Sequence, residues 1–174
     1  FLTDQERFFR PGELPAGYGL PAHERLLRDG TSFTNHRIAS CVCTPSRSVI
    51  YTGQHMPITE IYDNDGMPYI RPLGPALGTL GSMLRRAGYY CAYQGKWHLS
   101  RAYKDAADPR PTTDALEPYG FSEFNDWGDL DGGAWAGLKI DPIIAGQAVK
   151  WLRNRAPVIA EEQPWFLTVN FVNP

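Results

Sequence analysis

Residues 41–53 read CVCTPSRSVIYTG. Small and polar residues come first, Pro45 stands two places after Cys43, and a short apolar run closes on Thr52-Gly53. Proline is favoured at the first helical position, because the N–H it lacks would be unpaired there. The stretch therefore predicts a helix opening at Pro45, continuing through Arg47–Tyr51 and stopping at Thr52-Gly53. Cys43 then lies at a helix N-terminus, among unpaired backbone N–H groups and beside Arg47, which is a place for an anion. Two roles for Cys43 are open on this ground alone. It is a thiolate nucleophile, favoured by the cation and the helix end, or a buried structural cysteine.

Working outward, TSFTNHRIAS (31–40) alternates like a strand feeding the Cys43 turn, and Pro21–Arg28 reads as a short helix ending before Gly30. Residues 6–22 are a Pro- and Gly-rich loop, and Phe1–Gln5 reads as a strand end delivering Asp4 at its edge. His23 and His36 read as surface or structural residues. Downstream, residues 54–78 carry repeated Pro and Gly and are expected to be loop, with His55 and Asp65 solvated. Thr79 can cap a helix with Leu80, Met83 and Leu84 at helical spacing, stopped by Gly88. Tyr89–Tyr93 is then a strand that aims Gly95-Lys96-Trp97-His98 at the same edge. In residues 100–135 the spacing of Asp126, Asp129 and Asp131 loosely resembles a calcium loop, but the full ligand pattern is lacking, and a substrate-side loop fits better. Asp141-Pro142 is expected to cap and open a helix whose apolar stripe is Ile144, Ala148, Trp151 and Leu152. Trp165–Phe171 is a further strand. Helices and strands alternate, which predicts an α/β protein with a mainly parallel sheet covered by helices on both faces.

Composition bounds the partners. The 174 residues carry a formal charge of −2, so no electrostatic reason exists to expect nucleic acid. Hydrophobic residues make up 43%, enough for one globular core, yet no run is long and apolar enough for a membrane span. Cys41, Cys43 and Cys91 do not make a disulfide framework, and free thiols favour a cytoplasmic setting over a periplasmic or secreted one.

Cys43-Thr44-Pro45-Ser46-Arg47, followed by Thr52-Gly53, resembles the signature of the type I, formylglycine-dependent sulfatases. A second signature of that family, a Gly-Tyr run ending in Gly-Lys-x-His, resembles Gly88–His98, GYYCAYQGKWH. The resemblance implies the alkaline-phosphatase-like α/β/α sandwich. Since sulfatases are usually more than twice this long, it also implies that residues 1–174 are the N-terminal part of one catalytic domain. On that expectation the rest of the domain and its C-terminal subdomain lie outside the chain, and the segment alone is inactive. WFLTVNFVNP resembles the family strand that runs into a Pro-His pair, with the chain stopping at Pro174.

The resemblance also implies the chemistry. Cys43 would be converted by the formylglycine-generating enzyme, for which C-x-P-S-R is the recognition sequence, and the aldehyde hydrate would be the nucleophile toward a small-molecule sulfate ester. Arg47 would hold the hydrate, Lys96 would bridge it to a sulfate oxygen, and His98 would take a proton from its second hydroxyl. Asp4, Gln5 and the converted Cys43 would bind a divalent metal, Ca²⁺ first, with Mg²⁺ or Mn²⁺ as alternatives. Gln5 stands where the family more often has a second aspartate. Positions 41 and 51 also depart from the usual pattern. Two other readings are kept: a phosphonate or phosphate ester hydrolase of the same superfamily, which an Asp-Gln start resembles, and a non-catalytic binder of sulfated ligands.

Overall fold

A computed structural model describes residues 1–10, 12–100, 111–129 and 135–173. The helices are α1 (Pro21–Asp29), α2 (Cys43–Thr52), α3 (Met56–Thr59), α4 (Leu80–Arg86), α5 (Ala136–Asn154) and α6 (Ala156–Ala160). The strands are β1 (Tyr90–Gly95), between α4 and α5, and β2 (Trp165–Asn170), after α6. The two strands pair in parallel from Tyr90↔Trp165 to Gly95↔Asn170. Single parallel bridges extend the sheet at both edges, Leu2 onto Asn170 and Ser122 onto Ala92.

Side chains on a strand alternate between faces, and the packing follows that period. Cys91 and Tyr93 enter a core with Tyr51, Trp97, Phe121 and Phe124. Ala92 packs on the other face with Trp151, Ala156 and Ile159, while Val169 meets Ile144 and Ala148. Helices α2 and α4 thus cover one face and α5 and α6 the other, so the expected α/β layering with a parallel sheet holds.

Several local expectations need correction. Helix α2 opens at Cys43, not Pro45, which occupies its third position. That is still within the first turn, where proline sacrifices no helical bond. Helix α5 opens at Ala136, so Pro142 lies inside it rather than at its start. Asp141 does not cap the helix; its carboxylate accepts the backbone N–H groups of Val172 and Asn173 at 2.8 and 2.9 Å. Leu152 is exposed, unlike Ile144, Ala148 and Trp151. Residues 31–40 form turns and bends instead of a strand. They are exposed up to Ser40, and alternation without a neighbouring ladder cannot satisfy a strand's backbone. The 54–78 loop contains the single turn of α3. Thr79 caps α4 as expected, in a reciprocal pair with Ser82. No helix among the described residues is long and apolar enough to cross a membrane.

Candidate functional site

The site forms at the C-terminal ends of the parallel strands, the usual ligand edge of an open α/β sheet. Leu2 joins β2 and leaves Asp4 just past the sheet edge. β1 ends at Gly95, whose φ of 97° is a left-handed value. A Cβ there would stand 2.0 Å from the Asn170 carbonyl oxygen, so only glycine lets the chain turn away so close to β2. Lys96 follows immediately, its N–H donating to that same carbonyl at 3.0 Å. From the helical side, Cys43 is the first residue of α2 and Arg47 lies one turn further on.

These residues converge. Arg47 Nη2 donates to Asp4 Oδ1 at 2.5 Å, and Lys96 Nζ donates to Asp4 Oδ2. Cys43 Sγ lies 3.6 Å from Lys96 Nζ and 3.7 Å from Asp4 Oδ2. Arg47 Nη1 also donates to the Lys96 carbonyl at 2.8 Å, tying the helix to the turn after β1. The Arg47 and Lys96 side chains are 2% and 7% exposed, so this charge cluster sits in low dielectric, where its interactions are strong. Burial alone would raise the Asp4 pKa, but the two cations outweigh it and hold the carboxyl below its usual range. Burial alone would lower the Arg47 pKa, but it is raised, with the Asp4 carboxylate as its charged partner, so the guanidinium stays charged.

A cleft of about 300 Å³ opens over the cluster, lined by Asp4, Gln5, Cys43, Lys96 and His98 together with Asn64 and Asn173. His98 adopts φ 53°, and its Nδ1 is buried without a hydrogen-bond partner among the described residues. Burial, then the Lys96 charge, lowers the His98 pKa. The neutral ring therefore prevails near neutral pH and offers a nitrogen that can accept a proton. All six expected site residues are thus brought together, with Arg47 beneath the cleft as the partner of Asp4. Sequence reasoning missed Asn64, whose Oδ1 accepts the Thr44 N–H at 3.1 Å in the first turn of α2. It also missed Asn173, and it gave Asp129 no role beside His98. Asn64 carried a weak signal, as an asparagine in a Gly-rich loop. Asp131 lies outside the described residues.

Asp4 and Gln5 offer hard oxygens of the kind a divalent cation takes, and Gln5 has a left-handed φ of 56°. In donor type they fit such an ion as part of its shell. Among the described residues no group of three or more His, Cys, Asp or Glu forms a complete set.

The layering and the edge position define an α/β protein, and its likeness to solved structures gives it the alkaline-phosphatase-like fold. The structure of yidJ from Bacteroides fragilis superposes with a TM-score of 0.70 at 21% identity, covering 99% of this chain and 42% of that one. A second, solved in complex with its substrate D-glucosamine-2-N,6-O-disulfate, gives a TM-score of 0.60 at 22% identity, over 86% of this chain and 28% of that one. The Sulfatase family model matches residues 11–174, and the chain belongs to that family. Mouse steryl-sulfatase (Mus musculus) is 32% identical over 100 residues, 51% of this chain and 15% of that protein. The choline-sulfatase of Rhizobium meliloti is 28% identical over 176 residues, 88% of this chain and 33% of that protein. Asp4 and Gln5 precede the matched residues, so their place in the site rests on the geometry.

Proposed function

We propose that the protein carrying this chain hydrolyses sulfate monoesters, with formylglycine made from Cys43 as the source of its nucleophile. One observation carries the reading: Cys43 opens a helix 3.6 Å from the Lys96 ammonium, over the Asp4–Arg47 pair. A helix start flanked by two cations suits an anionic tetrahedral group. Family membership supports sulfate as that group.

Formylglycine, once made, would supply two hydroxyls as its hydrate: one would displace the alcohol at sulfur, and loss of the proton from the other would release sulfate and restore the aldehyde. Lys96 orients the residue at position 43 and neutralises a sulfate oxygen. Arg47 fixes Asp4 and, through the Lys96 carbonyl, the backbone that carries the lysine. His98, neutral and with an unpaired ring nitrogen, accepts the proton. Asp4, Gln5 and an oxygen at position 43 would hold a divalent cation, Ca²⁺ or else Mg²⁺ or Mn²⁺, which supplies positive charge to offset the sulfate and acidify a hydroxyl.

Gln5 favours a second reading, a phosphonate or phosphate ester hydrolase. A neutral amide in place of a carboxylate leaves the site less negative, which suits a dianionic phosphate monoester, whereas a phosphonate monoester carries the same single charge as a sulfate ester and is told apart by turnover. Two measurements test the proposal. Conversion of Cys43 lowers the mass of its peptide by about 18 Da, the net loss of H₂S and gain of O. Turnover of an aryl sulfate is then compared with that of an aryl phosphonate ester. Faster phosphonate turnover selects the second reading. An unmodified cysteine in the native protein, with sulfated ligands bound but not cleaved, overturns both and leaves a binder.

A further inference from the structure

The loop that follows the Ser122 bridge grips the turn between β1 and His98 from outside. Asn125 accepts the Gly95 N–H at 2.8 Å and donates to the Gly95 carbonyl at 2.8 Å and to the Gly128 carbonyl at 3.0 Å. One turn further, the two carboxylate oxygens of Asp129 receive consecutive backbone N–H groups, Trp97 at 2.9 Å and His98 at 2.5 Å. Successive backbone N–H groups of a turn can converge on one anion, an arrangement that often includes a left-handed residue. His98 is that left-handed residue, at φ 53°. A non-glycine residue holds such a conformation only where its surroundings compensate for it. Here the charged acceptor does so, and Asn125, 1% exposed, anchors the start of the same turn.

We propose that Asp129 is the positioning residue for His98, its carboxylate locking the Trp97 and His98 amides so that the imidazole is held in the cleft beside Cys43. The inference rests on the proton-accepting role given to His98 above. It also assigns Asp129 a use unlike the calcium-loop pattern it shares with Asp126. Asp126 is exposed, so charge at that position has no part in the clasp.

The test uses the converted, full-length protein and four variants: Asp129→Asn, Asp126→Asn, His98→Ala and the double variant Asp129→Asn/His98→Ala. Asparagine is isosteric with aspartate but can accept only one of the two N–H groups, so the fold is retained while the clasp is halved. Hydrogen exchange of the 96–99 segment is expected to quicken about tenfold or more in Asp129→Asn and to stay unchanged in Asp126→Asn. The kcat of Asp129→Asn should fall about 10- to 100-fold with KM within about threefold, because a misplaced proton acceptor costs rate rather than binding. In the His98→Ala background the same change should cost less than about threefold, since residues acting as one unit are not additive. Unchanged exchange in Asp129→Asn overturns the clasp. Multiplying losses in the double variant overturn its action through His98. Full activity in His98→Ala overturns the proton-acceptor role itself, and the positioning role with it, whereas the exchange data report on the clasp independently.

Discussion

Arg47 and Lys96, on a helix and on the turn after a strand, are joined by a 2.8 Å hydrogen bond from Arg47 Nη1 to the Lys96 carbonyl. Two cationic side chains thereby share one carboxylate, Asp4, while the backbone of one is held by the side chain of the other. Arg47 is thus a structural strut as well as a charge. Arg47→Ala would leave Asp4 its Lys96 partner but take a donor from one Asp4 oxygen and from the Lys96 carbonyl in a buried site. It should therefore destabilise the fold by about 1–3 kcal/mol, read from the chemical denaturation midpoint. Arg47→Lys should recover part of that stability and little activity, because an ammonium cannot donate from two fixed nitrogens to Asp4 and the Lys96 carbonyl together.

Activity should persist into mildly acidic solution. The His98 pKa is lowered in the folded state, first by burial and then by Lys96. Its proton-accepting form therefore survives below the ordinary histidine range, and kcat falls only as pH drops through the depressed value. The sign for stability is the same. A group with a lowered folded pKa stabilises the fold above its unfolded pKa, and that contribution is lost as pH falls through the folded one. A pH–rate profile of the wild type against His98→Asn checks this, with the acidic limb expected to vanish in the variant. An acidic limb at the ordinary histidine position or above contradicts it.

Asp4 adds a second acid-sensitive step, further down the scale. Its carboxyl is held below the usual range by Arg47 and Lys96. Its contribution is complete above the ordinary carboxyl pKa and disappears as pH falls through the lowered folded value. In Asp4→Asn the loss of stability on moving from neutral pH into that acid range should be shallower, as followed by thermal unfolding at stepped pH.

Tyr51, one of the departures from the expected motif, is 2% exposed and donates to Asn170 Oδ1 at 2.7 Å. Its oxygen also lies 3.1 Å from the Tyr93 hydroxyl, which donates to the Lys96 carbonyl at 2.7 Å. Burial pushes both phenols up, so they remain neutral hydroxyls. Tyr51→Phe leaves the Asn170 oxygen without this donor and should cost about 1–3 kcal/mol of stability. Tyr93→Phe should instead loosen Lys96 and lower kcat. The two variants separate if denaturation midpoints and turnover are measured on both.

Conversion of Cys43 should precede folding. Thr44, Pro45 and Arg47 are buried in α2, so the Cys43–Arg47 recognition stretch is not presented as an extended peptide once the helix has docked. A synthetic peptide spanning residues 41–53 should be converted by the formylglycine-generating enzyme, while the folded, unconverted protein should resist it. Mass spectrometry of both after equal incubation decides the matter.

Much of this was legible in the chain. The Cys43–Arg47 and Gly88–His98 stretches are short-range patterns whose residue order alone identifies the family and names the charged groups. The alternation of helix and strand signals likewise predicts the parallel sheet, because periods of 3.6 and 2 residues are local properties. Other features depended on contacts across long separations. Residues 31–40 alternate like a strand but lack a ladder, and Pro142 was misplaced because tertiary packing extends α5 past a residue that ordinarily starts a helix. The clasp of Asp129 on the Trp97 and His98 amides joins groups 31 and 32 residues apart. Sequence by itself determined which chemical groups the protein has and which segments present them. Tertiary structure alone decided that Asp4 lies between Arg47 and Lys96 and that His98 keeps an unpaired nitrogen. Charge pairing and burial are set by which surfaces meet in space, and no local pattern encodes that.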